Sequence, residues 1–214
     1  MLEATGAQID PGPERVAEAI NEIGFGFMFA PRFHPAMKHA IGPRKELGVR
    51  TVFNILGPMT NPAGVKRQLI GVYEPELMPL MAEVLAATGS KHVVIAHSQD
   101  GMDEFSISAP TDYLEMKDGD TSRHTISPTD VGFEEHPAGS VRGGEAADNK
   151  AILLTVLNGE KGAYRDAVIF NAGAMIYVAG GVGDIKNGVA AAAEAIDSGT
   201  ALFRLNQWVA FTQD

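Results

Sequence analysis

The chain has 214 residues, 45% hydrophobic and 21% charged, which is ordinary globular composition with enough length for one α/β domain and its core. The formal net charge is −10 and the basic residues are scattered, which argues against a nucleic-acid surface, because neutralising phosphates needs clustered Lys and Arg. There is no cysteine, so disulfides, thiolate metal sites and cysteine nucleophiles are excluded, and a cytoplasmic location fits.

Residues 1–10 read as the end of a helix and then a short strand ending at Asp10. No signal peptide is expected, since residues 1–20 carry acids and no apolar core with basic flanks. Pro13 suits a helix's first turn, and Val16, Ala19, Ile20 and Ile23 recur at helical spacing up to Gly24. The aromatic run Phe25–Phe29 predicts a short buried strand. Residues 35–57 predict short helices broken at Gly42-Pro43, Gly48 and Gly57-Pro58. Leu69–Tyr73 predicts a strand, Pro75–Ala87 a helix with Leu77, Leu80, Met81, Val84 and Leu85 on one face, and residues 92–97 another strand. Strand, helix and strand in about thirty residues make a parallel crossover unit. Short alternating pieces from Glu104 to Ile126 predict two or three antiparallel edge strands, and residues 145–158, 163–180, 188–198 and 199–212 predict four helices. The most apolar stretch, Ala167–Val182, contains Asn171 and Gly173 and is short for a membrane span, so a buried core helix is expected. The class is α/β, a mixed sheet with a helical C-terminal layer.

Six places carry residue types suited to chemistry. Asp103-Glu104 follows the strand at 92–97 through a loop, where ligands of α/β sheets collect. Two loop carboxylates can share a hard cation such as magnesium, which fills its octahedron with water and phosphate oxygens. Spacing alone favours a solvated acidic turn, since Asp-Glu pairs are common. Arg44 stands where a helix would begin after Gly42-Pro43, a sensible place for a cation if it grips a planar carboxylate, and otherwise a surface arginine paired with Glu46. His34, held extended by Pro35, can meet a ligand or cap a helix. The loop Leu56–Pro62 can wall an aromatic pocket with Pro58 or stop a helix. Gly180–Gly183 invites a phosphate-loop reading, but it follows a helix, so a helix cap and turn are expected; Arg142-Gly143-Gly144 is a slightly better anion candidate, with a plain helix start favoured.

Read together, Phe29-Ala30-Pro31, His34-Pro35-Ala36-Met37-Lys38, Arg44–Thr51, Phe53–Pro62, Gly101-Met102-Asp103-Glu104 and Asn171-Ala172-Gly173-Ala174 resemble the anthranilate phosphoribosyltransferase family in order and spacing, over nearly the whole chain. The resemblance implies transfer of the ribosyl phosphate of phosphoribosyl pyrophosphate (PRPP) to the amine of anthranilate, a step of tryptophan biosynthesis. It implies that Arg44 holds the anthranilate carboxylate, that His34 and Pro58 line its path, and that Asp103 and Glu104 bind Mg2+. It implies the fold shared by nucleoside phosphorylases and phosphoribosyltransferases, a mixed sheet flanked by helices that is incomplete at the N-terminus. Residues 1–214 then form a single partial α/β domain, with about 34–62 contributing to a small helical domain through which the family forms homodimers. The family's Gly-Thr-Gly-Gly-Asp and Lys-His-Gly-Asn-Arg segments are not in this sequence. Slow or no turnover by the isolated chain is therefore expected. A pyrimidine nucleoside phosphorylase-like enzyme and a non-catalytic nucleic-acid-binding relative are the alternatives. The His34, Arg44 and Pro58 set opposes the first, and the net charge of −10 opposes the second. No nucleic-acid or membrane partner is expected.

Overall fold

The computed structural model describes residues 1–34 and 53–213, with side chains from residue 56 onward in the second stretch. The helices are α1 (Pro13–Ile23), α2 (Ala30–Phe33), α3 (Phe53–Met59), α4 (Leu77–Ala87), α5 (Ala146–Leu157), α6 (Ala163–Ala179), α7 (Ile185–Asp197) and α8 (Thr200–Phe211). The strands are β1 (Arg67–Gly71), β2 (His92–Ser98), β3 (Thr111–Lys117) and β4 (Asp120–Ile126), with single 3-10 turns at Leu2–Thr5 and Pro128–Val131. Two units emerge: the described parts of Met1–Gly57, Gly143–Asn158 and Ile196–Asp214 form one, and Pro58–Arg142 with Gly159–Ala195 the other.

The first unit is helical. Pro13 opens α1, and Gly24 closes it in the left-handed conformation, its N–H donating to the Ile20 carbonyl. Val16 and Ala19 of α1 are buried with Ala7 and Trp208, while Ile20, expected on the same face, is exposed. Residues 7–10 form no strand; Thr5 ends a 3-10 turn and the Gln8 amide donates to the Thr212 hydroxyl of the C-terminal segment. Phe25–Phe29 is not a strand either. No described strand pairs with it; its aromatic content reflects packing on helices, with the Phe25 ring meeting Trp208 edge-on at 5.4 Å and Phe27 and Met28 covering the Trp208 cluster. Arg15 lays its guanidinium 3.7 Å over the Phe211 ring and donates to the Phe211 carbonyl, tying α1 to the end of α8.

The second unit is built on the mixed sheet. β1 pairs parallel with β2, and β2 to β3 and β3 to β4 pair antiparallel, in the order β1-β2-β3-β4. The crossover through α4 that joins β1 to β2 is the one expected. β1 begins two residues earlier than its apolar pattern suggests, because the parallel register starts at Arg67 opposite His92. β2 is buried along nearly all its length, as a central strand covered on both faces must be. Asp118 and Gly119, both at positive φ, form the two-residue turn between β3 and β4. β4 is exposed and polar, which blunts the sheet edge against further pairing. α4 packs on β2 and β3, and α6 on β1 and β2. The buried face of α4 is Met78, Met81, Ala82 and Leu85, whereas Leu80 faces solvent. That helix is apolar almost all round, so periodicity could not choose its face. α6 is the expected buried core helix, and it meets α7 backbone to backbone: a Cβ on Gly173 or on Gly188 would collide with the other helix. Among the described residues no helix is long and apolar enough to cross a membrane.

Candidate functional site

The loop that follows β2 is held by its own polar side chains. Gly101 at positive φ turns the chain after Ser98, and the Ser98 amide donates to the Met102 carbonyl. The Asp100 carboxylate accepts from the Met102 amide on one oxygen, at 3.2 Å, and from the Ser106 hydroxyl on the other, at 2.6 Å. Partial burial pushes the Asp100 pKa up, but the hydrogen bonds from Ser106, Ser98 and the Met102 amide together outweigh it and hold the group below the ordinary aspartate value. Phe105 and Ile107 then sink into the core. Between the turn and this anchor stand Asp103 and Glu104.

Their position follows from a glycine. Gly71 ends β1, and a Cβ there would run into the Asp103 carbonyl, so the acidic turn passes directly across the carboxyl end of β1. The resulting cavity, about 240 Å³, has Leu69, Gly71 and Ala96 at its base, the Asp103-Glu104 turn on one side and Asn171 and Met175 of α6 on the other. This is the carboxyl end of the parallel strand pair, where α/β sheets bind ligands. Both carboxylates are exposed, and no described residue donates a hydrogen bond to either. Desolvation along the cavity wall, with the Asp103 charge beside it, pushes the Glu104 pKa above the ordinary glutamate value. Two adjacent, unneutralised carboxylates in a cleft suit a hard cation that brings further oxygen ligands with it. Among the described residues no three acidic or histidine side chains converge on a metal position, so the turn itself offers two carboxylates and no third.

The other expected site residues are placed differently. Arg44 lies outside the described residues. His34 belongs to the helical unit and is the C-cap of α2, its amide donating to the Ala30 carbonyl at 2.9 Å, with φ −124° and ψ 67° off the helical region as a following proline dictates. Pro58 does not stop a helix: α3 runs through it to Met59. Proline there has no N–H to give to the helix, and Gly57, without a Cβ, relieves the crowding that proline imposes on the residue before it. The rigid loop expected from Leu56 to Pro62 is thus helical in its first half. Gly180 caps α6 in the left-handed conformation, as expected of a helix end. Gly144 and Glu145 offer no anion site, because their amides are taken by Asn149 and Asp148 of α5.

Two residues that shape the turn were not singled out for it. Asn171 exchanges two hydrogen bonds with the backbone of Phe105, and Gly71 admits the Asp103 carbonyl. An amide in the middle of the most apolar helix and a glycine at a strand end were the available signals.

The parallel strand pair closed by an acidic turn lies inside a mixed sheet flanked by helices, and the similarity to solved phosphoribosyltransferases makes this an α/β domain of the phosphoribosyltransferase-like kind. Residues 1–202 match the glycosyl transferase family, a/b domain, and the chain belongs to that family. Over 213 residues it is 49% identical to an anthranilate phosphoribosyltransferase from Methylobacillus flagellatus, covering 100% of this chain and 62% of the relative. The crystal structure of anthranilate phosphoribosyltransferase from Thermus thermophilus matches it with a TM-score of 0.91 at 44% identity, covering 100% of this chain and 63% of that one. The enzyme from Saccharomyces cerevisiae in complex with PRPP and Mg matches with a TM-score of 0.90 at 29% identity, over 99% of this chain and 61% of that one. The chain thus spans a little over three fifths of the length of these relatives.

Proposed function

We propose that this chain carries the acceptor- and metal-binding part of an anthranilate phosphoribosyltransferase, which moves the phosphoribosyl group of PRPP to anthranilate and releases pyrophosphate in tryptophan biosynthesis. The observation that carries the reading is the Asp103-Glu104 turn, with two unneutralised carboxylates in a cavity at the carboxyl end of β1 and β2. Asp103 and Glu104 hold Mg2+ in this reading, and the ion's contribution is to neutralise charge on the departing pyrophosphate. Arg44 clamps the anthranilate carboxylate through two parallel hydrogen bonds, and His34 and Pro58 line the acceptor's path. The amine is already a fair nucleophile, so positioning it against the anomeric carbon is the main task of these residues. The new C–N bond forms as the C–O bond to pyrophosphate breaks, and the amine's extra proton leaves to solvent. Residues 34–62 contribute to the small helical domain, a cytoplasmic location belongs with the same reading, and the full-length protein works as a homodimer. The sequence has no Gly-Thr-Gly-Gly-Asp loop, so turnover by these 214 residues alone is slow or absent.

Calorimetry tests this in two arms. Mg2+ with pyrophosphate should bind the chain and fail to bind an Asp103→Asn, Glu104→Gln double variant. Anthranilate should bind the chain and lose affinity in Arg44→Ala. Equal titrations of parent and double variant with Mg2+ and pyrophosphate would overturn the metal assignment, and equal anthranilate titrations would overturn the clamp.

A further inference from the structure

We propose that Asn171 is a positioning residue for the metal pair, setting the aim of Asp103 and Glu104 by gripping the backbone one residue further on. The inference rests on the reading of Asp103 and Glu104 as metal ligands.

The grip is specific. The Asn171 Oδ1 accepts from the Phe105 amide at 2.9 Å, and its Nδ2 donates to the Phe105 carbonyl at 2.9 Å. The side chain thus pairs with Phe105 as a neighbouring strand would, although it comes from the middle of a helix. The second Nδ2 hydrogen goes to the Ala167 carbonyl one turn back, at 3.0 Å, which fixes the amide's orientation on α6. Both donors are therefore spent on backbone, so Asn171 has none left for a substrate even though it lines the cavity. Its role is to hold the turn.

The turn needs holding on this side. Its upstream end is fixed by Ser98 and Asp100 through Met102. Asp103 and Glu104 follow, with no hydrogen bond from a described residue to either carboxylate. The Phe105 backbone is the first fixed point after them, and Asn171 is the side chain that fixes it. Gly71 sets the turn's closest approach to β1 from below. Loss of the amide leaves Phe105 with a buried N–H and C=O unpaired, and the carboxylates upstream of it lose their common aim. Groups that orient metal ligands from behind typically govern about 10- to 100-fold in metal affinity.

Two variants test this, with Mn2+ and pyrophosphate as the probe. Asn171→Leu keeps the size and removes all three hydrogen bonds. Asn171→Asp keeps the acceptor for the Phe105 amide, removes both donors and adds a negative charge beside the cavity. Charge alone would strengthen Mn2+ binding in Asn171→Asp; loss of aim weakens it. Both variants should bind Mn2+ with pyrophosphate about 10- to 100-fold more weakly than the parent. Amide exchange at Phe105 should accelerate in Asn171→Leu while Val94 and Ile95 of β2 stay protected, which separates a loosened turn from an unfolded chain. Asp103→Asn should lose Mn2+ affinity with Phe105 exchange unchanged. Parent-like Mn2+ affinity in either Asn171 variant, or unchanged Phe105 exchange in Asn171→Leu, overturns the proposal. A parent whose Mn2+ binding does not depend on Asp103 overturns the metal reading itself and this inference with it, an outcome recognised in the comparison of the parent with Asp103→Asn.

Discussion

At the scale of single residues, the acidic turn is a place where the fold accepts a cost. Glu104, though exposed, has its pKa raised by partial desolvation along the cavity wall and by Asp103, so the folded chain binds that proton more tightly than the unfolded chain does. The contribution to stability is therefore fully present below the unfolded glutamate pKa, near ~4.3, and is lost as pH rises through the higher folded value. Glu104→Gln should raise the melting temperature at pH 7 and leave it unchanged at the acid end of that window; a thermal melt series across pH reads the difference directly. Gly71→Ala has the opposite character. The added methyl meets the backbone carbonyl of Asp103, not a flexible side-chain tip, so the turn must move. Overpacking of this kind costs about 1–3 kcal/mol, measurable as a lower urea midpoint at unchanged slope. The carboxylate pair was legible through the resemblance carried by Gly101-Met102-Asp103-Glu104, since its spacing alone fits a solvated acidic turn. Gly71 was visible only as composition, and Asn171 only as part of a matching segment with no role attached to it. A glycine declares its purpose when the chain that crosses it is known, and Asn171 acts on Phe105, 66 residues away in sequence.

At the scale of elements, a polar cluster around the buried His92 joins four of them on the face of the sheet under α6. His92 of β2 is nearly inaccessible, and its Nε2 lies 2.7 Å from a carboxylate oxygen of Glu115 on β3. The Tyr177 hydroxyl of α6 donates to the same oxygen at 2.6 Å. Arg67 of β1 donates to the Val178 carbonyl at 2.8 Å and reaches His92 Nδ1 at 3.4 Å. Burial and then the bond to Glu115 push the Tyr177 pKa upward, so the phenol stays a donor at any working pH. Glu115→Leu removes the acceptor of both donors, and the buried His92 N–H left unsatisfied costs about 1–3 kcal/mol. Tyr177→Phe should be costly in the parent and nearly free in the Glu115→Leu background, a coupling that a double-mutant cycle by urea denaturation measures at about 0.5–3 kcal/mol. Elements of this kind explain which parts of the fold could be read in advance. The crossover from β1 to β2, the β3–β4 hairpin and the four C-terminal helices follow from local pattern, because their apolar runs are punctuated by turn glycines such as Gly89, Gly119, Gly159, Gly180 and Gly199. Phe25–Phe29 and the face of α4 do not. An aromatic run says that a segment is covered, not what covers it, and a helix that is apolar all round has no face until its neighbours choose one.

At the scale of the whole molecule, charge and ligand binding act together and must be separated. The chain carries 27 acidic against 17 basic side chains. Self-repulsion at a net charge of −10 is relieved by any salt, so a rise in melting temperature on adding Mg2+ alone would not identify a site. A site does something that screening cannot: it stabilises the folded chain by mass action, and only when its ligands are present together. With Mg2+ and pyrophosphate at a hundred times their dissociation constant, linkage adds about 2.7 kcal/mol. In a domain of this size, each kcal/mol moves the melting temperature by roughly 2–4 °C. The shift should persist against a sodium chloride control of equal ionic strength, shrink sharply when pyrophosphate is left out, and vanish in the Asp103→Asn, Glu104→Gln variant. That variant also loses two negative charges, so its melt without ligand should rise while its response to ligand disappears. The two movements have opposite signs. A general electrostatic effect would raise the ligand-free melt in the same way but leave most of the response to ligand in place, and a differential scanning calorimetry series over the four conditions distinguishes them.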